Sequence, residues 1–168
     1  SATMPSKIRD LAKRILHEPE QINIAVSKPA AGVMQAAYSA FDNQKPELLK
    51  SLLTGKNISS IIIFSSTKDK VKELHRMLRK YNFNASAIHS DLEQEERNEV
   101  MRNFKNRSIQ ILVATDILSR GIDIDSIGLV INYDVPRDAE DYIHRVGRTA
   151  RAEQTGVALT FINPEDQY

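Results

Sequence analysis

The sequence has no cysteine, and it contains no apolar run long enough to cross a membrane. The absence of cysteine excludes disulfide bonds and thiolate metal sites. A membrane-spanning helix needs about 20 consecutive, mostly apolar residues, and the first residues lack the basic and then apolar pattern of a signal peptide. We therefore expect a cytoplasmic protein that has no membrane partner.

Charge of one sign is also lacking, because 23 Lys and Arg residues nearly balance 22 Asp and Glu residues and leave a net charge of +1. The bulk charge therefore does not indicate a nucleic-acid binder, and any anion site must be local. The four histidines are far apart and lack the spacing of metal ligands, so we expect the chain to bind no metal. They are His17, His75, His89 and His144. A length of 168 residues suits a single domain with its own core.

Short apolar runs alternate with longer segments of helical spacing. Ser60–Phe64 reads SIIIF without polar alternation, which is typical of a strand buried on both faces. The other predicted strands are Ile22–Val26, Ala85–His89, Ile109–Thr115, Gly128–Tyr133 and Gly156–Ile162, and the predicted helices are Val71–Tyr81 and Gln94–Phe104. This alternation predicts an α/β fold with a mostly parallel sheet and helices on both faces. We expect the functional residues just beyond the carboxyl ends of the strands.

The segment ATDILSRGIDI (Ala114–Ile124) combines hydroxyl, glycine and carboxylate groups directly after a predicted strand. Thr115 suits a phosphate oxygen at a helix start, and Gly121 permits a close backbone approach. Asp123 is suited to accept hydrogen bonds from ribose hydroxyls. A capped short helix followed by a turn explains the same residues about equally well.

The segment YIHRVGRTARA (Tyr142–Ala152) carries three arginines at a spacing of three. This spacing predicts that Arg145, Arg148 and Arg151 share one broad face of a helix, where their like charges repel. Arginine rather than lysine at all three positions favours bidentate phosphate binding. The alternative is a solvated basic face, which is the more common meaning of a run of charge.

Two further segments combine a helix start with phosphate-binding potential. Phe64–Lys70 (FSSTKDK) could hold a phosphate at a helix N-terminus, although a plain N-cap is the simpler explanation. Ser90–Lys105 predicts a capped amphipathic helix with Gln94 and Arg97 in its first turn. For that helix, pairing between surface charges is the simpler explanation.

Taken in order, six segments resemble motifs III to VI in the second half of DEAD-box RNA helicases. They are SAT (Ser1–Thr3), IIIFSSTK, SDLEQEER, LVATDILSRGIDI, INYDVP and YIHRVGRTAR. The resemblance covers essentially the whole chain and implies a RecA-like three-layer sandwich. It implies that residues 1–20 are the end of motif III and a linker helix from the first helicase domain, and that residues 21–168 are the C-terminal RecA-like domain. The sequence also resembles the bacterial RhlE-like branch.

The resemblance also implies roles for individual residues. In such helicases ATP with Mg²⁺ lies between two RecA-like domains, bound mainly by the N-terminal one, and RNA crosses both. By position, Arg148 and Arg151 match arginine fingers, and His144 and Arg145 match residues that tie motif VI to neighbouring motifs. Gly121 and Asp123 match nucleotide contacts, and Ser1 and Thr3 belong to motif III. The positions that match RNA-backbone contacts are Thr67, Gln94, Arg97 and Thr115.

The implied activity is that of an ATP-dependent RNA helicase, in which this chain works with the N-terminal RecA-like domain. The chain has neither a G-x-x-x-x-G-K-[ST] phosphate loop nor an Asp-Glu-Ala-Asp sequence, so we expect it to be inactive alone. Contacts to the RNA backbone would be largely independent of base sequence. The alternatives are a non-catalytic RNA-binding or scaffold domain of the same fold and a domain of a related DNA helicase.

Overall fold

The computed structural model describes residues 6–15, 17, 32–116, 127–149 and 156–166. In these ranges the elements follow the order α1 (Ser6–Ile15), β1 (Val33–Ser39), α2 (Lys45–Leu53), β2 (Ile61–Phe64), α3 (Lys68–Lys80), β3 (Ala85–Ile88), α4 (Gln94–Lys105), β4 (Ile111–Ala114), β5 (Leu129–Asn132), α5 (Ala139–Val146), β6 (Gly156–Ile162) and a short 3₁₀ helix (Pro164–Asp166). The predicted strand Ile22–Val26 lies outside the described residues.

The described strands form one sheet in the order β1-β6-β5-β2-β4-β3, and every strand pair is parallel. The predicted α/β fold with a parallel sheet is confirmed. Strands β2 to β5 are completely buried or nearly so, as the uninterrupted apolar runs of β2 and β4 indicate for those two strands. None of the described helices is long and apolar enough to cross a membrane.

The strand residues divide between two apolar layers, one on each face of the sheet. In β2, Ile61 and Ile63 face one layer, whereas Ile62 and Phe64 face the other, because successive strand residues point to opposite faces. Helices α2 and α3 cover the first layer with Leu49, Leu53, Val71, Leu74 and Leu78. Helices α4 and α5 cover the second layer with Phe104 and Val146. The predicted helices on both faces are therefore present.

Sequence analysis missed β1 and α2, for physical reasons that differ. Strand β1 is an edge strand in which Val33 is half-buried and the other residues are exposed. An exposed strand does not need a continuous apolar run, and the sequence of β1 has none. Helix α2 is nine residues long with Pro46 in its first turn and buries Leu49 and Leu53 on one side. Two buried leucines in a nine-residue helix are too few to show a clear helical period in the sequence.

Because the strands are parallel, the residues that follow them gather at one side of the sheet. We call this side the carboxyl edge, and in the described residues it comprises 65–67, 89–91, 115–116 and 133–134. Helices α3 and α4 both begin beside it. Thr67 caps α3 by accepting a hydrogen bond from the Lys70 N–H at 3.2 Å. Helix α4 begins with a capping box between Glu93 and Glu96, which satisfies backbone N–H groups that a helix start leaves free. The predicted location of functional residues thus corresponds to a defined edge of the fold.

Candidate functional site

The side chain of Arg145 joins the ends of two strands that are not neighbours in the sheet. Its Nε and Nη2 donate to the two carboxylate oxygens of Asp116 at 2.5 and 2.7 Å. Its Nη1 donates to Asn132 Oδ1 at 3.1 Å and to the carbonyl oxygen of Asp134 at 2.9 Å. The guanidinium lies over the ring of Phe64, at 5.1 Å from the ring centre. This Arg145 clamp spans β2, which separates β4 from β5.

The contacts of Arg145 correct part of the prediction made for the three arginines. Arg145 is 3% exposed and donates four hydrogen bonds within the protein, so its charge is balanced by Asp116 rather than by an external anion. The prediction that all three arginines share one helix face is wrong, because α5 ends at Val146 and Arg148 lies in the following turn. Arg151 lies outside the described residues.

The turn that carries Arg148 is fixed on both sides. The N–H of Arg148 donates to the carbonyl of Arg145 at 3.1 Å, and the N–H of Thr149 donates to the carbonyl of Val146 at 3.0 Å. The buried hydroxyl of Thr149 donates to the carbonyl of Ile127 at 2.6 Å. Arg148 itself is half-buried, so a rigid turn holds it beside the clamp.

A second cluster at the carboxyl edge centres on Asp134, two residues after the end of β5. The carboxylate accepts hydrogen bonds from the Ser65 hydroxyl, the Ser66 N–H and the Lys70 ammonium, each at 2.8 Å, and Lys45 lies at 3.9 Å. Burial alone would raise the pKa of Asp134, but the hydrogen bonds from Lys70, Ser66 and Ser65 outweigh burial and lower the pKa to about 2. Sequence reasoning noted this strand end but gave Asp134 no role, although an acid directly after a buried strand is the available signal.

The structure brings part of the predicted RNA-contact set together. Arg97 Nη2 donates to the carbonyl of Ser90 at 3.0 Å, and Asp91 follows in the same loop. Asp91 pairs with Lys68 at 2.9 Å, and Lys68 follows the helix cap Thr67. Thr67 and Arg97 are therefore joined through one chain of contacts, although they belong to different helices.

The remaining predicted residues have other surroundings. Gln94 donates from Nε2 to Asn98 Oδ1 at 3.1 Å, one turn further along α4, and Thr115 is half-buried between β4 and Asp116. His144 is half-buried on α5. The predicted sites Ser1, Thr3, Gly121 and Asp123 lie outside the described residues. In the described ranges no group of three or more His, Cys, Asp or Glu side chains could hold a metal ion.

Comparison with known families identifies the fold and its lineage. The family model for the helicase conserved C-terminal domain matches residues 44–153, which include the Arg145 clamp and the cluster around Asp134. This chain belongs to that family. The matched range begins just before α2 and ends shortly before β6.

Curated relatives of this chain are named ATP-dependent RNA helicases. The chain is 41% identical over 167 residues to the DEAD-box ATP-dependent RNA helicase CshA of Geobacillus kaustophilus, covering 99% of this chain and 36% of that protein. It is 36% identical over 167 residues to the ATP-dependent RNA helicase DeaD of Buchnera aphidicola, covering 99% of this chain and 28% of that protein. The chain thus spans about a third of the length of the curated relatives it matches. The expected RhlE-like branch gains no support, because these relatives carry other names.

Solved structures confirm the predicted RecA-like fold of this helicase domain. Dbp5 of S. cerevisiae bound to RNA and ADP BeF3 aligns with a TM-score of 0.85 at 30% identity, over 97% of this chain and 44% of that chain. A DEAD box protein of Methanococcus jannaschii aligns with a TM-score of 0.76 at 42% identity, over 98% of this chain and 44% of that chain.

Replacing Arg145 by alanine should destabilise the domain by about 3 kcal/mol, the lower end for a broken buried ion pair, because Asp116 keeps some exposure. Lysine should restore only part of the loss, since one ammonium cannot reproduce the planar fork. Urea unfolding provides the measurement, and Arg137→Ala, at an exposed position before α5, provides the control. A loss for Arg145→Ala no larger than that for Arg137→Ala would contradict the clamp.

Acid should destabilise the domain partly through Asp134. Its folded-state pKa is lowered from 3.8 to about 2, so its ionised form contributes stability above pH 4 that is lost as the pH falls through about 2. The contribution is about 2 kcal/mol. Urea unfolding between pH 2 and pH 5 should show a smaller acid loss for Asp134→Asn than for the wild type. Parallel acid profiles for the two proteins would show that Asp134 contributes nothing there.

Proposed function

We propose that this chain is the C-terminal RecA-like domain of an ATP-dependent DEAD-box RNA helicase. The observation that carries the proposal is the contact between Asp116 and Arg145. It joins the two segments whose sequences resemble motifs V and VI, within the range that matches the helicase family. Residues 1–20 would belong to the end of the first helicase domain, and residues 21–168 would form the second. ATP would lie between this domain and an N-terminal RecA-like domain in a cytoplasmic protein.

Arg148 is proposed as an arginine finger for the phosphate that is transferred to water, with Arg151 as its partner. The support for Arg148 is the rigidity of its turn, which runs from the Arg145 clamp to the buried Thr149. Gly156 packs so closely against Thr149 that an added Cβ would overlap its backbone. A cation held in place before the reaction stabilises developing charge without reorganisation.

The contacts of Arg145 with Asp116 support the role that its matched position implies, which is to tie motif VI to a neighbouring motif. Because Asp116, Asn132 and the Asp134 carbonyl occupy its donors, we assign it to positioning the Arg148 turn rather than to contacting the nucleotide. His144 remains a proposed tie between motif VI and neighbouring motifs. Gly121 and Asp123 remain proposed nucleotide contacts, and Ser1 and Thr3 remain proposed parts of motif III. Mg²⁺ would enter with ATP and would be bound mainly by the N-terminal RecA-like domain.

RNA is proposed to lie along the carboxyl edge, with Thr67, Gln94, Arg97 and Thr115 as backbone contacts. The helix starts of α3 and α4 both face this side of the fold, and helix starts favour phosphate groups. RNA is proposed rather than DNA because the curated relatives are named RNA helicases. Competition between RNA and DNA strands for the full-length protein separates the two substrates.

In the full-length protein, Arg148→Ala should lower kcat for ATP hydrolysis on the order of 10³-fold and change nucleotide affinity much less, because a finger acts mainly on charge in the transition state. Lysine at this position should rescue poorly. Steady-state ATPase assays at saturating RNA measure the effect, with Arg137→Ala as the exposed control and a thermal melt to verify folding. A kcat within a few-fold of the wild type would remove Arg148 from the catalytic role.

A further inference from the structure

Two lysines of α3 converge on one carboxylate at the carboxyl edge. Lys68 Nζ lies 2.9 Å from one oxygen of Asp91, and Lys72 Nζ bonds to the other. The lysines are one helical turn apart, where two ammonium groups repel unless an anion separates them. Hydrogen bonds from Lys72 and Lys68 lower the pKa of Asp91, so its charge persists at neutral pH. One carboxylate therefore forms ion pairs with two ammonium groups.

This lysine–Asp91 cluster lies among the residues proposed to contact RNA. Lys68 directly follows the α3 cap Thr67. Asp91 directly follows Ser90, whose carbonyl accepts a hydrogen bond from Arg97. The Nε of Arg97 is buried and has no hydrogen-bond partner in the structure. The two lysines of α3 thus bind Asp91, and Arg97 of α4 bonds the carbonyl of the residue just before it.

The cluster is open to a larger ligand. The side chains of Lys68, Asp91 and Lys72 are 49%, 39% and 30% exposed. Ion pairs with this exposure contribute little to stability, because water and salt screen them. A phosphodiester offers the same pair of donors two non-bridging oxygens that share one negative charge, as a carboxylate does, so it can replace the carboxylate without leaving either lysine unpaired.

We propose that Lys68 and Lys72 bind a phosphate of the RNA backbone and that Asp91 occupies their site until RNA arrives. The inference rests on the RNA-binding function proposed above. Asp91 then limits the affinity for RNA, because each binding event must displace it. Removing its charge leaves both lysines available from the start.

The test measures binding of single-stranded poly(U) RNA to the full-length protein by fluorescence anisotropy, with a non-hydrolysable ATP analogue and at several salt concentrations. Asp91→Asn should raise affinity about two- to fivefold, the gain that corresponds to an exposed ion pair that no longer competes. The salt dependence should steepen by up to about one charge. The control is Glu73→Gln, an equal charge change at an exposed position of α3, the helix that carries the two lysines, and it should change neither quantity.

Lys68→Gln and Lys72→Gln should each weaken binding, and combining either with Asp91→Asn should cancel the gain. Lys80→Gln, at the other end of α3, is the control for lysine loss.

An Asp91→Asn protein that melts normally but binds RNA equally or more weakly overturns the inference. Arg97→Ala separates this failure from a failure of the proposed function: if the wild type binds RNA and Arg97→Ala weakens binding, only the role of the lysines is wrong. A wild type that does not bind RNA refutes both.

Discussion

The bidentate pair between Arg145 and Asp116 is the constraint on which the carboxyl edge depends. The pair crosses β2 and ties α5 to the end of β4, while the same guanidinium holds the end of β5. The buried apolar contact of α5 with the sheet is small, since Val146 is its fully buried apolar residue. The clamp therefore fixes the position of α5, and with it the turn that presents Arg148.

An acidic residue follows each of three strands, and each pairs with cations from elsewhere in the fold. Asp91 after β3 holds Lys68 and Lys72, Asp116 after β4 holds Arg145, and Asp134 after β5 holds Lys70. Local balance of this kind explains how a chain with a net charge of +1 can present cations to phosphate groups. The paired cations also differ in exposure, because the side chain of Arg145 is buried in the fold whereas that of Lys68 is accessible to a ligand.

Much of the fold is predictable because buried parallel strands carry uninterrupted apolar runs, as Ile61–Phe64 does. The edge strand β1 lacks that signal, and its pairing with β6 depends on chain segments far apart in sequence. The spacing of Arg145 did not predict its partner for the same reason, because Asp116 is 29 residues away and the helix stops at Val146 before the spacing can repeat. The resemblance to motif VI did imply that Arg145 ties neighbouring motifs together. Resemblance supplied the functional assignments of Thr67, Gln94, Arg97, Thr115 and Arg148, which geometry alone does not give.

The central claim is that Arg145 and Asp116 act as a coupled pair, and a double-mutant cycle measures that coupling directly. The free energy of unfolding is compared for the wild type, Asp116→Asn, Arg145→Gln and the double variant. We predict a coupling energy on the order of 2 kcal/mol, as expected for partners in one largely buried hydrogen-bond network. Additive effects, with a coupling energy near zero, would contradict the account.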